Sequence, residues 1–259
     1  MLCFVLVKIN FMAFGFFILF ALIFIALIAM YIYSLKLKRK TQMSTGKFSL
    51  DIKAALDKMT NIDSKLRFLN QTEERVKHEK GYTKNPNGRD LLLSKIYQHK
   101  ASVLFKANRQ KEAIKACSQV LAVEPSHTQT YLNRGSLYGE IGEYEKAIED
   151  FDQAELLDSR NPNIYNNRGW MYMHRKEYDK ALSDLNHAIL LEPTDIEYFN
   201  RANTFMELGE WKKALGDYQM SLSLHEQSDS ELRHLIVSSI AEMERKLNNS
   251  EQNTTQINE

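Results

Sequence analysis

The sequence predicts an all-α protein: a superhelix of about four helix pairs, closed by an end helix and preceded by a transmembrane helix and an amphipathic linking helix. Three observations support this prediction. A tyrosine and an alanine recur about every 34 residues, a long uncharged apolar run lies near the N-terminus, and a seven-residue apolar pattern lies between the two. Sequence repeats of this length with helical periodicity are typical of solenoids, in which each helix pair buries its apolar face against the next.

The composition excludes several other classes of protein. The chain has 259 residues, is 44% hydrophobic and carries a formal net charge of +1, so it can bury a sizeable core and is not disordered overall. Ten glycines and four prolines exclude a collagen-like chain, and two cysteines exclude a disulfide scaffold. No basic excess is available to neutralise phosphates, so we expect no nucleic-acid partner.

Residues 1–35 are predicted to hold a transmembrane anchor. Phe11 to Tyr33 contain no charged side chain, and as a helix they would rise roughly 34 Å, enough for a hydrocarbon core of about 30 Å. The alternative is a cleaved signal peptide, which has a shorter apolar run and small residues at its cleavage site, whereas bulky residues follow this run. We therefore expect residues 11–33 to contact membrane lipid, whether the chain starts at Met1 or at Met12.

The basic juxtamembrane segment, residues 36–48, predicts the orientation. Lys36, Lys38, Arg39 and Lys40 follow the apolar run, whereas only Lys8 and the α-amine precede it. Because the richer side stays in the cytoplasm, we expect the rest of the chain to be cytoplasmic. A bacterial inner membrane is favoured over an organelle outer membrane, and the basic tract could also contact anionic lipid.

Residues 49–80 are predicted to form the linking helix. Apolar residues recur every seven positions in two interleaved series, which are Ile52, Met59 and Leu66, and Ala55, Ile62, Leu69 and Val76. The pattern is interrupted at Glu73. Two interpretations stay open: one amphipathic helix packed against the following domain, or a short parallel coiled coil that forms a homodimer. Glycine and Asn-Pro then predict a linker over 81–90.

The repeat becomes visible when equivalent positions are aligned. Its tyrosines are Tyr97, Tyr131, Tyr165 and Tyr198, and its alanines are Ala113, Ala147, Ala181 and Ala214. With the pattern of residues 131–154 and 165–193, these positions resemble the tetratricopeptide repeat family over residues 94–228. The resemblance implies a repeat domain over 91–247, with repeats at about 94–127, 128–161, 162–194 and 195–228 and an end helix at 230–247. The polar stretch 248–259 is predicted to be disordered.

Three kinds of residue within the repeat suggest how its helices pack. Small residues recur where the two helices must approach closely, namely Ala101, Gly135, Gly169 and Ala202. Gly142 and Gly209 are suited to the turn between helices. An arginine precedes an aspartate by sixteen residues in three repeats, which predicts the ion pairs Arg134–Asp150, Arg168–Asp184 and Arg201–Asp217.

The resemblance implies binding rather than catalysis, in a concave groove lined by the first helix of each repeat. Candidate peptide-binding residues are Asn133, Asn166, Asn167, Asn200, Asn203, Trp170, Met173 and Phe199. Asn133, Asn167 and Asn200 share one repeat position and could hydrogen-bond the backbone of an extended peptide. The alternative is that this asparagine only hydrogen-bonds within its own helix. Trp170, Phe199 and Met173, with Met206, could form an apolar pocket beside the amides.

No catalytic motif is present. The sequence has no Gly-x-Gly-x-x-Gly, no P-loop and no His-Glu-x-x-His, so we expect neither an enzyme nor a bound cofactor or metal. One subfamily grips the C-terminal carboxylates of chaperones, but only Asn133 matches its pattern. The sequence thus predicts a membrane-anchored adaptor for an unidentified protein or extended peptide. The alternative is a structural assembly factor of a membrane complex that oligomerises through the linking helix.

Overall fold

A computed structural model describes residues 30, 48–78, 86–225 and 230–257. In these ranges the chain is helical and contains no strand. Its helices are α1 (48–57), α2 (Ile62–His78), α3 (Pro86–Lys106), α4 (Gln110–Val123), α5 (Thr128–Glu140), α6 (Tyr144–Leu157), α7 (Pro162–His174), α8 (Tyr178–Leu191), α9 (Asp195–Glu207), α10 (Trp211–Leu224) and α11 (Glu231–Ile257).

Helices α3 to α10 form four helix pairs, and each second helix packs against the first helix of the following pair. The first helices of successive repeats also contact one another, α5 with α7 and α7 with α9, and α11 packs on α10. This arrangement confirms the predicted all-α solenoid of four repeats and an end helix. It places α3, α5, α7 and α9 side by side, and their exposed side is called the groove face below.

The predicted anchor, residues 11–33, lies outside the described residues apart from Met30, as does the basic tract 36–40. Among the helices that the structure does describe, none has the length and apolar character needed to cross a membrane.

Small residues do hold the two helices of a repeat close together. A Cβ atom placed on Gly135 would lie 2.8 Å from the ring of Phe151 and 3.2 Å from the backbone oxygen of Ala147. At Gly169 it would lie 2.9 Å from the Leu185 side chain. These distances are shorter than van der Waals contact, so the first and second helices could not pack this closely around a larger residue.

We expect Gly135→Val to lower the free energy of unfolding by about 1–3 kcal/mol, because it overpacks this contact. The control is Gly216→Ala in α10, where an added Cβ meets nothing within 4 Å. Alanine is the better helix former by about 1 kcal/mol, so this change should stabilise the protein by up to that amount. Urea unfolding followed by circular dichroism measures both changes, and shifts in the same direction would contradict this packing.

Each turn between paired helices contains one residue in the left-handed region. Gly142 (φ 80°) and Gly209 (φ 74°) have this conformation as predicted, and Asn108 (φ 57°) and Lys176 (φ 61°) adopt it in the first and third repeats. Asparagine tolerates the conformation better than lysine does. The turn is therefore the same in all four repeats, although only two of them use glycine.

The linking segment differs from the single helix predicted over 49–80. Asn61 separates α1 from α2, since its side-chain oxygen accepts hydrogen bonds from the backbone nitrogens of Asp63 (2.7 Å) and Ser64 (3.3 Å) and caps α2. The seven-residue pattern runs across this break and therefore does not describe one continuous stripe. Leu56, which is not part of the pattern, is nevertheless buried.

The linking pair, α1 with α2, packs on the first repeat. Its buried residues form one apolar cluster with α3 and α4, made of Ile52, Leu56, Leu69, Val76, Leu92, Leu93, Ile96, Tyr97 and Val120. Four large apolar residues of the linking pair, Ile52, Leu56, Leu69 and Val76, thus face this chain's own core.

Two other predicted boundaries change. In the linker predicted over 81–90, residues 86–90 belong to α3, whose first residue is Pro86, a position where proline is compatible with a helix. The end helix does not stop at 247 but continues to Ile257, so residues 248–257 are helical rather than disordered. No glycine or proline interrupts that stretch.

Candidate functional site

A row of polar contacts joins the first helices across the groove face. The amide nitrogen of Asn200 donates to the amide oxygen of Asn166 at 2.9 Å, from α9 to α7. The amide nitrogen of Asn167 lies 3.5 Å from the hydroxyl of Ser136, from α7 to α5. Asn133 instead accepts a hydrogen bond from Gln129 within α5, at 2.9 Å. Of the three asparagines at the shared position, Asn167 and Asn200 therefore contact a neighbouring first helix, whereas Asn133 bonds within its own helix.

These contacts leave hydrogen-bonding capacity for a ligand. An amide has two N–H donors and an acceptor oxygen, and Asn200 uses only one donor toward Asn166. Asn133 is exposed and uses its oxygen, which leaves its NH₂ group facing solvent. Asn166, by contrast, is buried, and Asn203 accepts a hydrogen bond from the buried Tyr218 hydroxyl at 2.6 Å. Binding of a peptide by these amides stays a prediction.

The open space on the groove face lies between α3 and α5. A cleft of about 410 Å³ there is lined by Gln98, Ala101, Ser102, Phe105, Cys117, Val120, His127, Gln129, Thr130, Asn133, Ser136 and Glu140. Of the eight candidate residues named from the sequence, only Asn133 lines it. Phe105 is 53% exposed, which is unusual for a large aromatic side chain. Its ring therefore offers an apolar surface to a ligand in the cleft.

The interior wall of the cleft is apolar and unreactive. Val120 and Cys117 are almost fully buried, and burial raises the pKa of the Cys117 thiol to about 11. The thiolate is therefore not accessible near neutral pH, and Cys117 acts as a small apolar side chain.

Trp170, Phe199 and Met173, the residues of the predicted apolar pocket, do not share one apolar cluster. Trp170 packs on the core of the second and third repeats, whereas Phe199 packs with Tyr218 and the end helix, with ring centroids 5.7 Å apart. The two rings thus belong to different clusters. Met173 is half-buried and belongs to neither.

Trp170 belongs instead to a short aromatic row. Its ring meets His174 edge-on at 4.5 Å between centroids, and His174 stacks on Tyr144 at 5.4 Å.

The predicted arginine–aspartate pairs are all confirmed. Each guanidinium donates two hydrogen bonds to the aspartate sixteen residues later, at distances of 2.7–3.0 Å, in the pairs Arg134–Asp150, Arg168–Asp184 and Arg201–Asp217. The three aspartates are buried. Burial raises the pKa of Asp150 and Asp184, and the neighbouring arginine lowers it in part.

Each arginine makes a second contact that its spacing in the sequence does not predict. Arg168 also donates to Asp152 and Glu155 of α6, at 2.7 and 2.5 Å. Arg134 and Arg201 likewise reach the second helix of the preceding repeat, through Ser118 and Asn186. The three arginines therefore bridge consecutive repeats and fix the relative positions of the first helices that form the groove face.

One polar chain has the residue order of a catalytic triad. His225 contacts Asp195 through Nδ1 and Ser230 through Nε2, the latter at 2.6 Å. The Ser230 oxygen also accepts the backbone N–H of Arg233 at 3.1 Å and so caps the start of α11. We assign this chain to the attachment of α11 to the fourth repeat. Within the described residues, no group of three or more histidine, cysteine or acidic side chains could hold a metal ion.

Three family models match the repeats found here. A tetratricopeptide repeat model matches residues 94–127, a TPR repeat model matches 137–173, and a further tetratricopeptide repeat model matches 162–195. A comparison with curated proteins gave no match.

Solved structures show the same fold. The thermophilic TPR protein TTC0263 of Thermus thermophilus superposes with a TM-score of 0.52 at 20% identity, covering 70% of this chain and 100% of that one. The MamA RS-1 ArsTM double mutant superposes with a TM-score of 0.56 at 19% identity, covering 72% and 97%. The repeat region thus has the fold of a tetratricopeptide-repeat solenoid.

Proposed function

We propose that this tetratricopeptide-repeat chain is a membrane-anchored adaptor, which binds a protein partner through an extended segment on the groove face at the cytoplasmic membrane surface. The cleft of about 410 Å³ between α3 and α5 is the observation that carries the proposal. It is open, it lies on the face made by the first helices, and it combines amide side chains with an exposed phenylalanine.

The chemistry of the cleft favours a partner segment with little charge. Gln98, Gln129 and Asn133 offer amide donors and acceptors that can pair with a peptide backbone. Phe105 offers an apolar surface to one side chain of the segment. Among the described residues, no lysine or arginine lines the cleft, whereas Glu140 does, so an acidic peptide finds no matching set of cations there.

Site-specific photo-crosslinking tests the groove face. A photoreactive amino acid placed at Phe105 or Asn133 in the full chain should crosslink one partner in native membranes. The same residue placed at Lys115, which is exposed on the second helix α4, should not. Mass spectrometry of the crosslinked peptide identifies the bound segment.

A cleft-filling variant provides the matched control. Ser102→Trp should place an indole in the cleft and abolish the crosslink from Asn133, whereas Lys115→Trp should leave it unchanged. Crosslinking that persists in Ser102→Trp, or that is equally strong from Lys115, would contradict binding on the groove face.

The membrane part of the proposal rests on the sequence. The uncharged stretch 11–33 is long enough to span a bilayer, and the basic residues that follow it favour cytoplasmic placement of the repeats. The full chain should therefore stay in the membrane fraction during alkaline carbonate extraction, whereas residues 41–259 should be released. Extraction of the full chain by carbonate would exclude the anchor, and it would leave the groove test unaffected.

An exposed row of leucines favours a second candidate function, that of a structural assembly factor in a membrane complex. Leu156 and Leu190 are each 80% exposed and lie 34 residues apart, at the ends of α6 and α8. Exposed apolar side chains repeated along one edge of a solenoid offer a surface that another protein can cover. If this edge holds the partner, a photoreactive residue at Leu190 will crosslink it more strongly than one at Asn133 does.

A further inference from the structure

A second cleft lies between the linking pair and the first repeat. It has a volume of about 340 Å³ and is lined by Lys53, Leu56, Asp57, Ile62, Lys65, His99, Ser102, Val103 and Lys106. We call it the basic cleft, because three lysines and a histidine face one carboxylate. α1, α2 and α3 all contribute to it, so it exists only when the linking pair is docked.

The three lysines of the basic cleft carry uncompensated charge. Among the described residues, none of Lys53, Lys65 and Lys106 has an acidic side chain at ion-pair distance. Elsewhere in the repeats, a lysine at the start of the second helix pairs with the glutamate three residues earlier, as in Lys146–Glu143 (2.8 Å) and Lys180–Glu177 (2.7 Å). With three lysines and one carboxylate, Asp57, in its lining, the basic cleft carries a net positive charge.

His99 and Ser102 add neutral hydrogen-bonding groups to the same wall. The Nε2 atom of His99 lies 3.2 Å from the Ser49 hydroxyl of α1. Burial lowers the pKa of His99, and the nearby Lys95 and Lys53 lower it further, so the ring is neutral at pH 7. The positive charge thus comes from the ammonium groups, while the hydroxyl of Ser102, an exposed side chain, can donate to an anionic oxygen.

We propose that the basic cleft binds a phosphate group. Ammonium groups bind phosphate as point charges and need no fixed planar geometry, which suits three flexible lysines around one space. The volume accommodates the phosphate together with the group that carries it. The basic cleft shares Ser102 with the cleft on the groove face, but none of its three lysines lines that cleft, so the proposal does not depend on peptide binding there.

Two sources could supply the phosphate, an anionic phospholipid headgroup or a soluble phosphate compound. Residue 48, the first described residue of α1, lies eight residues after Lys40, a length of chain that spans at most about 29 Å. If residues 11–33 anchor the chain, as proposed above, the basic cleft lies near the membrane surface and the headgroup is the nearer source. The soluble source does not require the anchor.

Lysine-resolved chemical labelling of the full chain in neutral detergent tests the proposal. Reductive methylation followed by mass spectrometry gives a rate for each lysine. Dioctanoyl phosphatidylglycerol or inorganic phosphate should slow methylation of Lys53, Lys65 and Lys106, whereas Lys111 and Lys115 of α4 should not change. Dioctanoyl phosphatidylcholine, which has no net charge, and sodium acetate at equal ionic strength serve as ligand controls.

Charge-matched variants test the affinity. Lys53→Gln, Lys65→Gln and Lys106→Gln together should weaken phosphatidylglycerol or phosphate binding roughly a hundredfold, because each lysine near an anionic group is worth about a factor of five. Lys111→Gln, Lys115→Gln and Lys212→Gln together remove the same charge outside the cleft and should have little effect. All six lysines are exposed or half-exposed, so both variants should keep the wild-type ellipticity.

Each result of these experiments supports or overturns the proposal that the basic cleft binds phosphate. Protection by phosphatidylglycerol alone assigns the lipid headgroup, and protection by inorganic phosphate assigns the soluble source. Equal protection by acetate or phosphatidylcholine, equal protection of Lys111 and Lys115, or an unchanged affinity in the cleft variant would overturn the proposal. None of these results depends on whether a peptide binds on the groove face.

Discussion

Arg168→Met is expected to lower the free energy of unfolding by about 3–5 kcal/mol at pH 7, the cost of removing one partner from a buried ion pair. Arg168 donates two hydrogen bonds to Asp184, at 2.7 and 3.0 Å, and two more to Asp152 and Glu155 of the preceding repeat. Asp184 is buried, so without the arginine its negative charge would have neither solvent nor a cation beside it.

The loss should depend on pH in a defined direction. Burial already raises the pKa of Asp184 above its ordinary value, and Arg168 offsets part of that rise. A carboxyl whose folded pKa exceeds the unfolded value destabilises the protein as the pH rises through the folded pKa. Without Arg168 the pKa rises further, so the difference between variant and wild type should be large at pH 7 and smaller near pH 4, where Asp184 can be protonated.

Arg175→Met is the matched control for this experiment. Arg175 also contacts two acidic side chains, Glu145 at 3.3 Å and Glu177 at 2.9 Å, but it is exposed at the end of α7. Exposed pairs contribute about 0–1 kcal/mol. Urea unfolding at pH 7 and pH 4 measures both variants. A loss for Arg168→Met no larger than that for Arg175→Met would show that the buried bridge does not stabilise the stacked repeats.

The repeat architecture could be predicted from the sequence because its packing rules recur. Gly135 and Gly169 stand where the helices are closest, and the sixteen-residue spacing of arginine and aspartate places both on facing sides of one repeat. A spacing within one repeat, however, says nothing about the neighbouring repeat. The bridge from Arg168 to Asp152 and Glu155 therefore became evident only from the stacked structure.

The candidate site was harder to predict, because open space depends on the size of several side chains at once. Ser102 and Ser136 occupy the same repeat position as Trp170, and the two small residues leave the cleft between α3 and α5 open. Side-chain volume at this position distinguishes the first two repeats, which have serine, from the third, which has tryptophan. The asparagine pattern predicts hydrogen-bonding groups but not their exposure, and Asn166 is buried.

The break between α1 and α2 is not predicted by the sequence pattern for a related reason. The seven-residue pattern is defined by apolar residues and so does not include Asn61, whose capping hydrogen bonds separate α1 from α2. In the sequence, Glu73 is only an interruption of the pattern. In the structure it is buried between α2 and α3 and accepts hydrogen bonds from Tyr97 and Lys100 of the first repeat. A polar residue in an apolar pattern can thus indicate a buried partner elsewhere in the chain.

Glu73→Leu is accordingly expected to lower the free energy of unfolding by about 3–5 kcal/mol at pH 7. Lys100 is only 8% exposed, so removing Glu73 leaves a buried ammonium group without its carboxylate. The Tyr97 hydroxyl, 2.9 Å from Glu73, also loses its acceptor. Burial and the nearby Glu73 raise the pKa of Tyr97 to about 12, so this hydroxyl is protonated at pH 7 and acts only as the donor.

The contribution of Glu73 should disappear in acid. Burial alone raises its pKa, but hydrogen bonds from Lys100, Lys77 and Tyr97 outweigh burial and lower it below the ordinary value. A carboxyl with a lowered folded pKa stabilises the protein above its unfolded pKa, and this stability is lost as the pH falls through the folded pKa. Wild type and Glu73→Leu should therefore begin to converge in stability as the pH falls below about 4.3, the ordinary pKa of a glutamate, and should meet only below the lowered folded pKa.

The double variant Glu73→Leu with Lys100→Met separates the buried charge from the packing of the linking pair. Replacing both partners of a buried ion pair by apolar residues is often nearly neutral, so the double variant should recover most of the stability that Glu73→Leu loses. Hydrogen exchange should show faster exchange of α1 and α2 in the single variant, with α7 to α10 unchanged. Because α1 and α2 form one side of the basic cleft, the single variant should also lose protection of Lys106 by phosphate. Equal losses of stability in the single and double variants would show that Lys100 is not left as an unpaired buried charge and would contradict this account of how the linking pair is held.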